Sequence, residues 1–147
     1  MYRFINVFPL LALPLALYNM VVLTNVGGAA QNIHGWLSRV VFSTGAISGD
    51  TWDMTAGELV LFVSLLLLFV EIVKSTRTDA VSLINHGLAV LVFFVFLLEF
   101  VTLKGFTNSI FFLLMTMQLI DVIAGYTVTE VAAKRDFGSP GGIIGTN

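Results

Sequence analysis

Four long apolar runs, at about residues 4–24, 56–73, 81–103 and 106–128, take up most of the chain, and each is nearly free of charge. A helix needs about 18–20 apolar residues to cross the hydrocarbon of a bilayer, and each run reaches that length. The pattern predicts an all-α protein, an integral membrane bundle of four transmembrane helices. Between the first and second runs, Ile33, Trp36, Leu37, Val40 and Val41 recur at i, i+3, i+4, i+7 and i+8, with His34, Ser38 and Arg39 off that stripe. This spacing predicts a short amphipathic interfacial helix in the outer loop between helices 1 and 2. Residues 43–53, rich in Gly, Ser and Asp, read as a loop.

Local signals punctuate the runs. Pro9 and Pro14 fall in the first and favour a bend, and Gly27-Gly28 suits a helix stop. Glu58 falls in the first turn of the second helix, where the helix dipole favours a carboxylate. The connection at 75–79 is short enough to make the second and third helices an antiparallel pair, with Thr78 as an N-cap. Lys104-Gly105 makes a still tighter turn and pairs the third with the fourth. Residues 1–137 form a single four-helix transmembrane domain, and 138–147 form a flexible C-terminal tail with a Pro and several glycines. No internal repeat is present.

Composition narrows the classes. Only 11% of residues are charged and 57% are hydrophobic, whereas a soluble domain carries roughly 25% charged residues. Little of the chain is suited to face water. A net charge of −2 without a basic patch does not imply a nucleic-acid partner, and none is expected; the absence of Cys excludes disulfides, thiolate metal sites and thiol chemistry. The first run is longer than a signal-peptide core and has no A-x-A site after it, so a retained span is expected. Arg3, Lys74, Arg77, Lys134 and Arg135 lie on one side of the runs, and only Arg39 and Lys104 on the other. The positive-inside rule then puts both termini in the cytoplasm. Trp36 and Trp52 are expected as interfacial anchors in the outer loop, and Tyr126 at the inner edge.

The polar residues within the runs carry the chemistry, because ionised groups in hydrocarbon are costly and turn towards the bundle interior or a partner. With a rise of about 1.5 Å per residue, Glu71, His86 and Asp121 fall in an inner layer, and Glu58 and Glu99 in an outer one. Gln118, Asp121, Gly125 and Thr129 share one face of the fourth helix, with Gly125 and Thr129 as the small-residue packing face. Asn85 lies beside His86 on the third. The candidate intramembrane cluster is therefore Glu71, His86, Asp121, Gln118 and Asn85. Lys74, one turn from Glu71, is a natural ion-pair partner for it.

No P-loop, H-E-x-x-H or G-x-S-x-G is present, so the sequence gives no support for catalysis and no metal or cofactor is expected. The overall pattern resembles small four-span proteins of bacterial inner membranes. Three functions fit it. The first is an accessory or scaffolding subunit of a larger membrane complex, or a homo-oligomeric bundle, with a membrane-protein partner or a second copy alongside the lipid bilayer. The second is a small transporter, channel or proton-conducting subunit using Glu71, His86 and Asp121. The third is a cofactor-binding redox subunit centred on His86. The second is told from the first by whether the ionisable residues line a wet path or are satisfied in a dry core.

Overall fold

The structure, a computed structural model, describes residues 8–24, 32–75 and 80–138, without the side chains of 80–83, 129 and 131–138. The described elements run α1 (Ala12–Leu23), α2 (Ile33–Leu37), β1 (Val40–Gly45), β2 (Thr51–Thr55), α3 (Ala56–Ser75), α4 (Ala80–Thr102) and α5 (Ser109–Gly138). The chain is mostly helical, but it is not all-α: β1 and β2 pair as an antiparallel two-stranded sheet. Among the described residues, three helices are long and apolar enough to cross a membrane, over Ala56–Ser75, Ile84–Thr102 and Ser109–Val128.

The first run differs from expectation. Its described helix has 12 residues and rises only about 18 Å, short of a bilayer core of about 30 Å. Ahead of it the chain turns at Pro9, whose carbonyl accepts from Ala12 N–H at 3.1 Å. Pro14 then falls in the first turn of α1, where a missing N–H breaks no helical bond, so it imposes no bend. The expected Gly27-Gly28 stop, Thr78 cap and C-terminal tail beyond 138 lie outside the described residues. The backbone of α5 stays helical past its apolar stretch, as far as Gly138.

The segment between the first and second runs is the larger correction. Helix α2 ends at Leu37, and Val40 and Val41 belong to a strand. The i, i+3, i+4, i+7 stripe is real up to Leu37. Beyond it a run of β-branched and aromatic residues, Val40-Val41-Phe42, favours extended backbone. The turn that returns the chain is built at Gly49, with φ +92°, and closed by Ala46 N–H to Asp50 O at 2.8 Å and Gly49 N–H to Ala46 O at 3.0 Å. Residues 43–53 are thus a β-hairpin rather than a loop. Phe42 pairs with Met54 and Thr44 with Trp52, and a bulge at Val41 shifts the register. Cross-strand partners share a face. One face therefore carries Phe42, Thr44, Trp52 and Met54, mostly apolar, and the other carries Ser43, Gly45, Thr51 and Asp53.

Helix α5 is central, packed along both α3 and α4, which touch each other little. The second and third helices are joined by the bond from Asn85 to Glu71, but each packs more against α5 than against the other. The buried stripe of α3 includes Gly57, Ser64, Leu68, Glu71 and Ser75, mostly small residues that let α5 approach. A Cβ at Gly57 would lie 3.1 Å from the Ile110 side chain. The apolar core gathers Leu15, Tyr18 and Val22 of α1, Ile33 and Leu37 of α2, Phe96 of α4, and Phe106, Phe111 and Leu114. Its centre is aromatic, with Phe111 at 4.8, 5.0 and 5.2 Å from the rings of Tyr18, Phe106 and Phe96. Rings at these separations add to the area they bury.

Candidate functional site: a charged layer between the long helices

Glu71 is fully buried near the end of α3. Its carboxylate is well supplied with donors. Leu10 N–H reaches Oε2 at 3.0 Å, Lys74 Nζ reaches both oxygens at 3.1 Å, and Asn85 Nδ2 donates to Oε1. Lys74 also donates to Phe8 O at 3.1 Å. Glu71 thus ties the entry to α1, the end of α3 and the first half of α4 together. An opposite charge and several hydrogen bonds offset the desolvation of this carboxylate.

Asp121 is almost fully buried on α5, one turn beyond Gln118. Gln118 Nε2 donates to Asp121 Oδ2 and to Ala89 O, both at 3.2 Å. The side chain of Gln118 thereby crosses from α5 to α4. Three acceptor oxygens in this layer, Asp121 Oδ1, Gln118 Oε1 and Asn85 Oδ1, are buried and accept no hydrogen bond among the described residues. Both amides are oriented by what their nitrogens donate to, so the oxygens are the atoms left over.

His86 joins the layer through Gly125. A Cβ on Gly125 would fall 2.2 Å from His86 Nδ1 and 2.3 Å from Cε1, so the imidazole lies directly on the α5 backbone. Gly125, expected on a packing face, thus admits a ring. Glu71 and Lys74 act electrostatically on both His86 and Asp121. The structure therefore brings Glu71, Asn85, His86, Gln118 and Asp121 to one level of the bundle. The side chain of Thr129 lies outside the described residues.

The opposite, hairpin end holds a different polar set. Glu58 is exposed and forms a reciprocal cap with Thr55: its Oε2 accepts from Thr55 N–H at 2.8 Å and Oγ1 at 2.9 Å, while Glu58 N–H donates to Thr55 Oγ1 at 3.3 Å. Glu99 accepts from Asn19 Nδ2 at 2.9 Å, joining α4 to α1. Tyr18 Oη donates to Gly105 O at 2.9 Å, and Asn108 Nδ2 donates to Tyr18 Oη and to Gly105 O. Asn108 Oδ1 also caps α5 by accepting from Phe111 N–H at 3.1 Å. Gly105 makes the turn with φ +92°. A cavity of about 420 Å³ opens at this end, lined in part by His34, Ser38, Thr55, Glu58, Asn108 and Ser109. None of the charged-layer residues lines it. Trp36 is half-buried against the core and Trp52 is exposed on the hairpin.

Tyr18, Asn19 and Asn108 hold the helices together at this end, and the sequence singled out none of them as a site residue. The signal was a polar pair, Tyr18-Asn19, within an apolar run, and an Asn two residues before the next apolar stretch. Among the described residues no group of three or more His, Cys, Asp or Glu is placed to hold a metal ion. The charged layer can hold a fixed ion pair, and it offers oxygen acceptors to a donor or cation. No protein-family model matches the chain, and no curated protein or solved structure matches it.

Proposed function

We propose that the chain is a non-catalytic, multi-pass integral membrane protein that serves as an accessory or scaffolding subunit of a larger membrane complex, or assembles with copies of itself. In this reading it has four passes, and both termini face the cytoplasm of a bacterial inner membrane. The observation that carries the reading is the uncovered apolar face of the hairpin. Phe42 and Trp52 are 52% and 53% exposed, their rings 6.0 Å apart, while Ser43 and Asp53 hydrogen-bond on the other face. An isolated two-stranded hairpin is marginal in water, and an amphipathic one gains stability when its apolar face is covered. The ion-paired Glu71, and an outer cavity that includes none of the charged layer, also favour a structural role for the bundle.

Isolation of the native protein in mild detergent, with mass spectrometry of what accompanies it, tests this. A stoichiometric partner or a defined homo-oligomer supports the proposal, and a lone monomer overturns it. The topology is checked separately. Ser48→Cys is labelled by an impermeant reagent from outside and Thr76→Cys only after the cytoplasmic side is opened; reversed labelling inverts the assignment. A second reading, a small transporter or proton-conducting subunit, draws on the unpartnered oxygen of Asp121. Flux through reconstituted vesicles that is lost in Asp121→Asn would favour it.

A further inference from the structure

From the unpartnered oxygens of the charged layer we infer that the protein binds one monovalent alkali cation, held by Asp121 Oδ1, Gln118 Oε1 and Asn85 Oδ1 at the contact between α4 and α5. The inference goes beyond the accessory-subunit reading and does not depend on it.

The level of these atoms follows from the helix pairing. Gln118 reaches Ala89 O at 3.2 Å, which sets Gln118 beside Ala89. Asn85 lies one turn from Ala89 and Asp121 one turn from Gln118. In an antiparallel pair both steps run towards the same end, so Asn85 and Asp121 fall within about one 5.4 Å turn of each other. The bond from Asn85 to Glu71 holds its amide in the same layer. All three residues are more than nine-tenths buried.

Charge makes the second argument. Glu71 and Lys74 neutralise each other across 3.1 Å. Asp121 is buried in the same layer and receives one described hydrogen bond, from Gln118. An ionised carboxylate in such a place calls for one compensating positive charge. A proton on Asp121 would supply the charge, but its single O–H could serve only one of the other two oxygens. A small cation is not limited to one acceptor, and it balances the charge. The three oxygens, one from a carboxylate and two from amides, suit a hard cation rather than a transition metal. A cation there would lock α4 to α5 at the level where Gly125 already brings them together through His86.

The test uses the full chain purified in detergent. Thermal unfolding is followed in NaCl, KCl and choline chloride at one pH and one ionic strength, alongside equilibrium binding of radioactive sodium or of rubidium as a potassium analogue. Binding of one ion per chain is expected, with a Tm that rises saturably with Na+ or K+ over choline. Asp121→Asn should abolish both. Equal Tm in all three salts with no retained isotope, the result for a layer closed by a proton or water, overturns the proposal. So does an ion-dependent shift that survives in Asp121→Asn. If that variant fails to fold, isotope binding by the wild-type chain decides alone.

Discussion

The two ends of the bundle solve the same problem with different materials. At the hairpin end, Tyr18, Gly105 and Asn108 form a neutral node in which a phenol and an amide converge on a backbone carbonyl exposed by a tight turn. At the other end, Glu71, Lys74, Asn85, Gln118 and Asp121 form a charged layer from three long helices. The neutral node is compact because a tight turn presents its acceptor, with Asn108 three residues on and Tyr18 reaching in from α1. The charged layer depends on side chains reaching between helices. It supplies Glu71 generously and leaves Asp121 with one described donor. Rigid packing suits the first end, while the second is the place for binding or response.

The sharpest way to break the contrast is Lys74→Met. It leaves Glu71 buried beside a neutral chain, and removing one partner of a buried pair costs about 3–5 kcal/mol. Unfolding in detergent should show the largest loss of any single change considered for this chain. The double variant Lys74→Met/Glu71→Leu should lose less than Lys74→Met alone, because no charge is then stranded. A Lys74→Met protein within about 1 kcal/mol of wild type would mean that the pair is solvated rather than buried.

How much of this contrast can be read in the sequence depends on the range of the interaction. Helices that cross a bilayer are set by local apolar length, so α3, α4 and α5 are legible from composition alone. The membership of the charged layer is also legible, because depth follows from position along a helix of constant rise. Which helix lies in the middle is not legible. The central place of α5 comes from the small stripe Gly57, Ser64 and Ser75 on α3 and from Gly125 facing His86, and these are matches between distant surfaces. The hairpin was missed for a local reason. Ile33, Trp36, Leu37, Val40 and Val41 satisfy a helical period, while Val40-Val41-Phe42 prefers extended backbone, and pairing with residues 51–55 resolves the competition. Pro14 was read as a source of a bend because the start of α1 was placed too early.

Gly125→Ala probes the charged layer without touching a charge. The new Cβ would lie 2.2 Å from His86 Nδ1 and 2.9 Å from its Cγ, so the whole ring must move. Overpacking of this kind costs about 1–3 kcal/mol. In a double-mutant cycle, His86→Ala should relieve the Gly125→Ala defect, with a coupling above about 0.5 kcal/mol. Additive effects would show that the ring has another place to go at no cost.

At the neutral node the expected effect is smaller. Tyr18→Phe removes the hydroxyl but keeps the ring against Phe106 and Phe111. Gly105 O retains the bond from Asn108 Nδ2 at 3.1 Å, so no buried acceptor is left bare. The loss should be about 1 kcal/mol, the usual net worth of one hydrogen bond. A loss as large as that of Lys74→Met would place the rigid anchor of the bundle in the node rather than in the ion pair.

The smallest effect on stability, and the one that separates folding from assembly, is expected at the hairpin. Phe42 is half exposed and its described ring contact is with Trp52 across the sheet. Phe42→Ser forfeits that cross-strand pair, worth roughly 0.2–1 kcal/mol, and leaves the helices as they were. The melting temperature of the isolated protein should therefore barely move. If the apolar hairpin face is where a partner or second copy sits, the same change should strip that partner during native isolation or shift the homo-oligomer to monomer. An assembly that survives Phe42→Ser and Trp52→Ser together would move the contact to the lipid-length helices, and leave the hairpin as a cover for its own end of the bundle. A large drop in melting temperature would instead mean that the hairpin is part of the fold's own core, against its exposure in the isolated chain.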